Sequence, residues 1–255
     1  MSDLITALGG FGPFRVLVVG DFMLDEFVHG DASRLSPDAP VPVLTVTETE
    51  RAGGGASNVA ACLAGFGGLV QCCGVIGGDT AGSQLTEALT SKGCAVDGLV
   101  VDADRPTTVK RNLIGLAQHR HPQKMFRMDI ESHSPLAPST NQSLADCIET
   151  LMSGVNAVCI EDYGKGVCTP ERCEAVIACA RRQGIPVLVD PASIDCYERY
   201  RGATIMTPNR TEAARACASL PGAPDTPEMM AAALLDVCEL EAIVITLDRH
   251  GALLL

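Results

Sequence analysis

Three consecutive glycines followed closely by an asparagine, Gly53-Gly54-Gly55-Ala56-Ser57-Asn58, make a backbone that a polar ligand can approach closely. Glycine has no Cβ and tolerates positive φ, so such a run leaves N–H groups free to face an anion or a sugar hydroxyl. Asn58 adds one acceptor and two donors on a short arm. Carboxylates and their companions recur elsewhere in the chain. Asp21 and Asp25 in Gly20-Asp-Phe-Met-Leu-Asp25 offer paired acceptors to a polyol; Asp162 comes with Tyr163 and Lys165, Asp190 precedes Pro191, Asn209 accompanies Glu212, and Thr246 closes a late apolar run. Any one of them alone reads equally as a helix cap or a turn acid. Their recurrence just after apolar runs is what points to a site. Carboxylates and an amide beside a phosphate usually mean Mg²⁺ held through water rather than in a dry protein cage.

Groups arranged in this way need a scaffold that brings strand ends side by side. Short β-branched runs alternate with helical segments, the pattern of an α/β domain with a largely parallel sheet. The expected strands are Arg15 to Gly20, Val70 to Gly74, Ala157 to Glu161, Pro186 to Val189, Ala203 to Met206 and Ala242 to Thr246. The expected helices are Ser57 to Phe66, Gly82 to Lys92, Pro170 to Gln183 and Pro227 to Leu240. Val41 to Thr49 and Thr107 to Ile130 break this rhythm with polar-faced strands, and a small β-flap covering a site accounts for them. Ligands of open α/β sheets lie at the carboxyl ends of strands, where such a lid closes.

Composition narrows the function classes. The 255 residues are 47% hydrophobic, enough for a substantial core, and carry a net charge of −12 without a long basic run, which argues against tracking nucleic acid or anionic lipid. No segment approaches the roughly eighteen apolar residues of a membrane span, and a cytoplasmic location is expected. The twelve cysteines include no C-x-x-C pair and read as buried thiols acting as small hydrophobes. His119, His121 and His133 could mark a metal site, yet their polar surroundings favour a solvated loop or strand edge. Leu253-Leu254-Leu255 continue as a strand would with nothing polar to cap them, so the chain is expected to be a C-terminally incomplete piece with apolar surface left uncovered.

Gly20-Asp21 with Asp25, the glycine loop, Asp162-Tyr-Gly-Lys-Gly166, Thr207-Pro-Asn209-Arg-Thr-Glu212 and Thr246-Leu-Asp-Arg-His-Gly251 occur in the order found in ribokinase-like (PfkB-type) carbohydrate kinases, which this chain resembles along essentially its whole length. Arg34 to Pro42, Pro106 to Lys110, Arg127-Met-Asp129 and Tyr200-Arg-Gly-Ala203 are similar to the branch that phosphorylates D-glycero-D-manno-heptose 7-phosphate at O1, often fused to a nucleotidyltransferase. The resemblance implies a three-layer α/β/α sandwich with a mostly parallel sheet and a β-flap lid. One kinase domain would span 1–255, with lid strands roughly within 39–52 and 105–131. It implies ATP and Mg²⁺, a sugar-phosphate substrate, and a place in ADP-heptose (lipopolysaccharide core precursor) biosynthesis; a homodimer through the lid is compatible with it. A kinase of another sugar, or a sugar-phosphate-binding protein without catalysis, is the alternative.

Position by position, Asp21, Asp25, Gly54, Gly55, Asn58 and Asp162 would meet sugar hydroxyls, and Lys110 and Arg127 would receive the phosphate already on the substrate. Lys165, Asp190, Asn209, Glu212, Thr246 and Gly251 would line the ATP side, with Asn209 and Glu212 holding Mg²⁺ through water. The sequence departs from the family in carrying Ala192 where Asp-Pro-Lys is common, and His119-Arg-His121-Pro122 in place of a more amide-rich flap. The family's Gly-Ala-Gly-Asp loop, which carries the general base, is expected beyond Leu255, so no catalytic residue is assigned within this chain and turnover by it alone is not expected.

Overall fold

Arg15–Gly20 (β1) is apolar on both faces, as a strand sandwiched between helix layers must be, and it lies inside the main sheet. The computed structural model describes residues 12–116 and 121–255. The chain continues through Phe22–Leu35 (β2), Pro42–Gly55 (β3), Ala56–Gly65 (α1), Leu69–Gly77 (β4), Thr80–Ser91 (α2), Ala95–Asp102 (β5), Thr108–Leu116 (β6) and Gln123–Ile130 (β7). Then come Pro138–Leu151 (α3), Ala157–Glu161 (β8), Pro170–Arg182 (α4), Val187–Asp190 (β9), Ile205–Met206 (β10), Arg210–Cys217 (α5), Pro227–Cys238 (α6), Ala242–Thr246 (β11) and Ala252–Leu254 (β12).

Eight strands form one sheet in the order β12-β11-β10-β9-β8-β1-β4-β5, parallel throughout except for β12, which runs antiparallel to β11. Helices α3 to α6 cover one face, packing on Val19, Ile160, Val189 and Ile243. Helices α1 and α2 cover the other at β1 and β4, around Val18, Cys72 and Cys159. This is the expected three-layer sandwich. Local chemistry sets the helix boundaries. Thr169 caps α4 through Arg172 N–H, with Pro170 at its start and Arg181 and Arg182 in the last turn.

The second sheet, in the order β3-β2-β6-β7, is the flap. The structure adds one strand here and changes one sequence-based expectation. β2 is not among the expected strands, because acids and a bulge at His29/Gly30 break its alternation. The glycine run is not a free loop: Gly53, Gly54 and Gly55 pair with Leu24, Met23 and Phe22 as the end of β3. Helices α3 and α5 and strand β5 also went unread. In α3 the apolar stripe is only Leu144 and Ile148 with Thr140, α5 is short and alanine-rich, and β5 carries Asp97 and Gly98 inside it.

The cysteines are free thiols, most of them buried. His119 lies outside the described residues; His121 is exposed, and His133 pairs with Glu131 at 2.9 Å. Among the described residues no helix is long and apolar enough to cross a membrane.

Candidate active site

Parallel pairing puts Gly20, Glu161 and Asp190 in one row at the carboxyl ends of β1, β8 and β9. Side chains there fall into two groups, those used by the fold and those left facing outward. Asp21 belongs to the first. Its carboxylate accepts the backbone N–H groups of Tyr163 (2.8 Å), Lys165 (3.0 Å) and Val167 (3.2 Å), and the residue is buried. Burial raises its pKa, Asp162 beside it adds to the rise, and the three donors oppose it. Asp162 is equally engaged: Gly164 N–H (2.8 Å), the Tyr200 hydroxyl (2.7 Å) and Arg199 (3.3 Å) all donate to it. These two acids, expected to meet sugar hydroxyls, shape the 162–167 loop.

Asp25 is different. It is half-buried on β2, opposite Lys110 of β6, which in turn faces Asp129 of β7. Its carboxylate lies against Gly54, where a Cβ would stand 2.7 Å from Asp25 Cγ, so glycine is required by close approach. Burial raises the Asp25 pKa while the charges of Lys110, Arg127 and Lys124 pull it down. Gly55 has φ 53° and ψ −131°, a conformation suited to glycine, and turns the chain into α1. Among the described residues no side chain caps α1: the Ala56 N–H donates to the Asp21 carbonyl at 3.2 Å, and Asn58 in the first turn is exposed.

Lys110 bridges flap and sheet. Its Nζ stands 5.5 Å from the centroid of the Tyr163 ring. The Tyr163 hydroxyl donates to Asp190 at 3.1 Å. Arg127 also projects from the flap, but Asp129 accepts one of its N–H groups at 2.7 Å. Lys165 is turned away, its Nζ 2.7 Å from Glu131.

At the other end of the edge, Asn209 and Glu212 form a capping box on α5. Asn209 accepts the N–H groups of Thr211 and Glu212, and Glu212 accepts the N–H of Asn209 at 2.8 Å. Burial and nearby Asp190 raise the Glu212 pKa; Asp190 itself is raised by burial. Thr246 bridges to Asn209 and donates its N–H to Pro208 at 3.0 Å, so the two lie adjacent. Gly251 sits in the β11–β12 turn at φ 87°.

Glu161 was read only as the last residue of a strand. It is buried, its Oε2 has no hydrogen-bond partner among the described residues, and burial together with Asp190 pushes its pKa up to about 8. An acid ending an otherwise apolar strand was the available signal. Arg199, which donates to both Asp162 and the carbonyl of Cys168, had no local signal at all.

The geometry therefore offers a cationic, carboxylate-bearing flap over one end of the sheet edge and an acid-rich cap over the other. A family model for pfkB family carbohydrate kinases matches residues 14–255. The bifunctional protein HldE of Geotalea uraniireducens is 42% identical over 237 residues, which cover 93% of this chain and 47% of that protein. HldE of Geobacter sulfurreducens is 39% identical over 240 residues, covering 94% and 48%. The chain thus spans about half the length of the curated relatives it matches. Phosphofructokinase-2 from Escherichia coli, in its tetrameric inhibited form, aligns with a TM-score of 0.71 at 18% identity over 95% of this chain and 76% of its own. Arabidopsis thaliana ribokinase complexed with ribose and ATP gives 0.64 at 17% identity, over 95% and 75%. At such identities the structures speak for the fold.

Proposed function

The chain belongs to the pfkB family of carbohydrate kinases, and from that premise we propose that its site serves phosphoryl transfer from ATP to a hydroxyl of a sugar that already carries a phosphate. D-glycero-D-manno-heptose 7-phosphate, phosphorylated at O1 for ADP-heptose synthesis, is the substrate the sequence resemblance favours. The observation that carries the reading is the flap row in which Lys110 stands between Asp25 and Asp129, its Nζ 5.5 Å from the Tyr163 ring, with Arg127 bonded to Asp129 beside it. A neutral sugar needs no such clamp; a phosphate does, and a charge-assisted bond to it is stronger than a neutral one.

In this reading Asp25 accepts sugar hydroxyls, Gly54 and Gly55 let the ring approach the backbone, and the uncapped start of α1 with Asn58 donates to the same ligand. ATP lies toward Asn209, Glu212, Thr246 and Gly251. The residues fit Mg²⁺. Asp190 and Glu212 form an all-oxygen acidic set with raised pKa values, Glu161 adds an unpartnered buried oxygen, and hard oxygen ligands with retained waters suit that ion. When bound, Mg²⁺ would neutralise charge on the transferring phosphoryl group. Asn209, already used as a cap, would act by fixing Glu212. A second copy meeting the outer face of the flap, where Phe126, Met128 and Ile130 are exposed, belongs to the same proposal.

Calorimetry with heptose 7-phosphate, the unphosphorylated heptose and ribose tests the reading, with a coupled ADP-release assay beside it. Tighter binding of the phosphorylated sugar is expected. Equal affinity for phosphorylated and neutral sugars would overturn it.

A further inference from the structure

Behind the carboxyl edge, on the α4 side of β8, two sulfurs and a carboxylate converge. Cys168 Sγ, Cys173 Sγ and a carboxylate oxygen of Asp162 lie within 4.8 Å of one another, and all three residues are buried. Cys168 ends the loop that follows β8. Cys173 lies in the first turns of α4, its N–H donating to the carbonyl of Thr169 at 2.9 Å. Thiolates select soft cations over Mg²⁺ or Ca²⁺, and two sulfurs with one oxygen supply three of the four corners of a tetrahedral site. We propose that Cys168, Cys173 and Asp162 bind a soft divalent cation of the Zn²⁺ class, clamping the 162–168 loop to the start of α4.

The surroundings support this assignment. An ionised carboxylate has about four lone-pair sites, and Asp162 uses three, on Gly164, Tyr200 and Arg199. One remains, on a group whose orientation is already fixed, as carboxylates that ligate metals commonly are. Arg172 faces both thiols and donates to the Val167 carbonyl and to Asn141. A guanidinium beside the sulfurs would offset the negative charge that the donor set concentrates once metal has displaced the thiol protons. Uptake breaks two S–H bonds, forms two metal–sulfur bonds and one metal–oxygen bond, and releases both protons to solvent. No electron moves. The clamp would hold the loop bearing Tyr163, yet it stands apart from the phosphoryl-transfer reading, because the donor set is defined by sulfur rather than by sugar or nucleotide.

The test uses the full chain with the exposed Cys62 and Cys196 removed as Cys62→Ser/Cys196→Ser. Titration with Cd²⁺, followed by its ultraviolet thiolate charge-transfer band and by equilibrium dialysis, should show one ion bound per chain and not displaced by excess Mg²⁺. Adding Cys168→Ser or Cys173→Ser should abolish that uptake. Iodoacetamide mapping of the unmutated pair gives a readout that does not depend on those variants folding: Cd²⁺ should slow labelling of Cys168 and Cys173 several-fold, with Cys94 unchanged. No uptake by the Cys62→Ser/Cys196→Ser protein, uptake that survives loss of both sulfurs, or labelling of Cys168 and Cys173 unaffected by Cd²⁺ would overturn the assignment.

Discussion

The carboxylate of Asp21 accepts the backbone N–H of Tyr163 at 2.8 Å, joining the end of β1 to the loop after β8 across 142 residues of chain. With Lys165 and Val167 donating to the same group, one side chain fixes the loop. An asparagine keeps the shape but replaces one acceptor oxygen with a donor. Asp21→Asn should therefore cost about 1–3 kcal/mol, the range for leaving buried donors unpaired. Hydrogen exchange should accelerate at Tyr163, Lys165 and Val167 before it does in β1. Unchanged protection at all three would show that the loop is held by other contacts.

Gly54 should tolerate no side chain. A Cβ there would meet Asp25 Cγ at 2.7 Å, and the backbone cannot yield while β2 and β3 stay paired. Gly54→Ala is expected to destabilise by about 1–3 kcal/mol, as overpacking does, and to weaken sugar binding further by displacing Asp25. Calorimetry of the folded variant separates the two effects. Wild-type affinity would remove Asp25 from the sugar site.

The two flap cations should differ. Lys110→Ala should weaken phosphosugar binding by about 1.5–3 kcal/mol, the range for hydrogen bonds to charged groups. Arg127→Ala should cost less, because its side chain is 53% exposed and already shared with Asp129. Neither change should alter binding of a neutral sugar. Equal losses for both ligands would give Lys110 a structural role instead.

Glu161 makes stability fall with rising pH. Its folded pKa is pushed up to about 8 from 4.5, so between those values the folded state binds the extra proton. The penalty is absent below about pH 4.5, grows through the window, and is complete above about pH 8. Glu161→Gln should flatten this dependence and raise Tm at pH 8 relative to wild type, by an amount corresponding to at most a few kcal/mol. Parallel Tm–pH curves for the two proteins would count against the buried, proton-binding carboxyl.

The flap also predicts association. Phe126 is 62% exposed and shares its face of β7 with Met128 and Ile130, while Arg127 and Asp129 point to the opposite face. Contiguous exposed apolar surface promotes contact between copies. Sedimentation velocity should show concentration-dependent self-association that Phe126→Asp reduces. A monomer at all concentrations, in both proteins, would leave that face without a partner.

Much of the scaffold was legible because its causes are local. β1 and β8 are apolar runs, α4 and α6 carry caps and prolines at their starts, and the glycine run marks a place of close approach whatever the fold around it. β2 was not legible, since Asp25, Glu26 and the His29/Gly30 bulge hide its alternation until β3 and β6 pair with it. The site divides along the same line. The sequence by itself determined which groups gather at the carboxyl edge, because each follows its own strand and parallel pairing brings strand ends together. Only the tertiary structure decided what each group is free to do. Asp21 and Asp25 read alike in sequence, but Asp21 is claimed by N–H donors more than 140 residues away, whereas Asp25 faces Gly54 and the flap cations. Lys165 and Lys110 read alike as well, and Glu131 takes one while Tyr163 leaves the other over the site. A hydrogen bond or ion pair depends on separation in space, and its partner's distance along the chain carries no local trace.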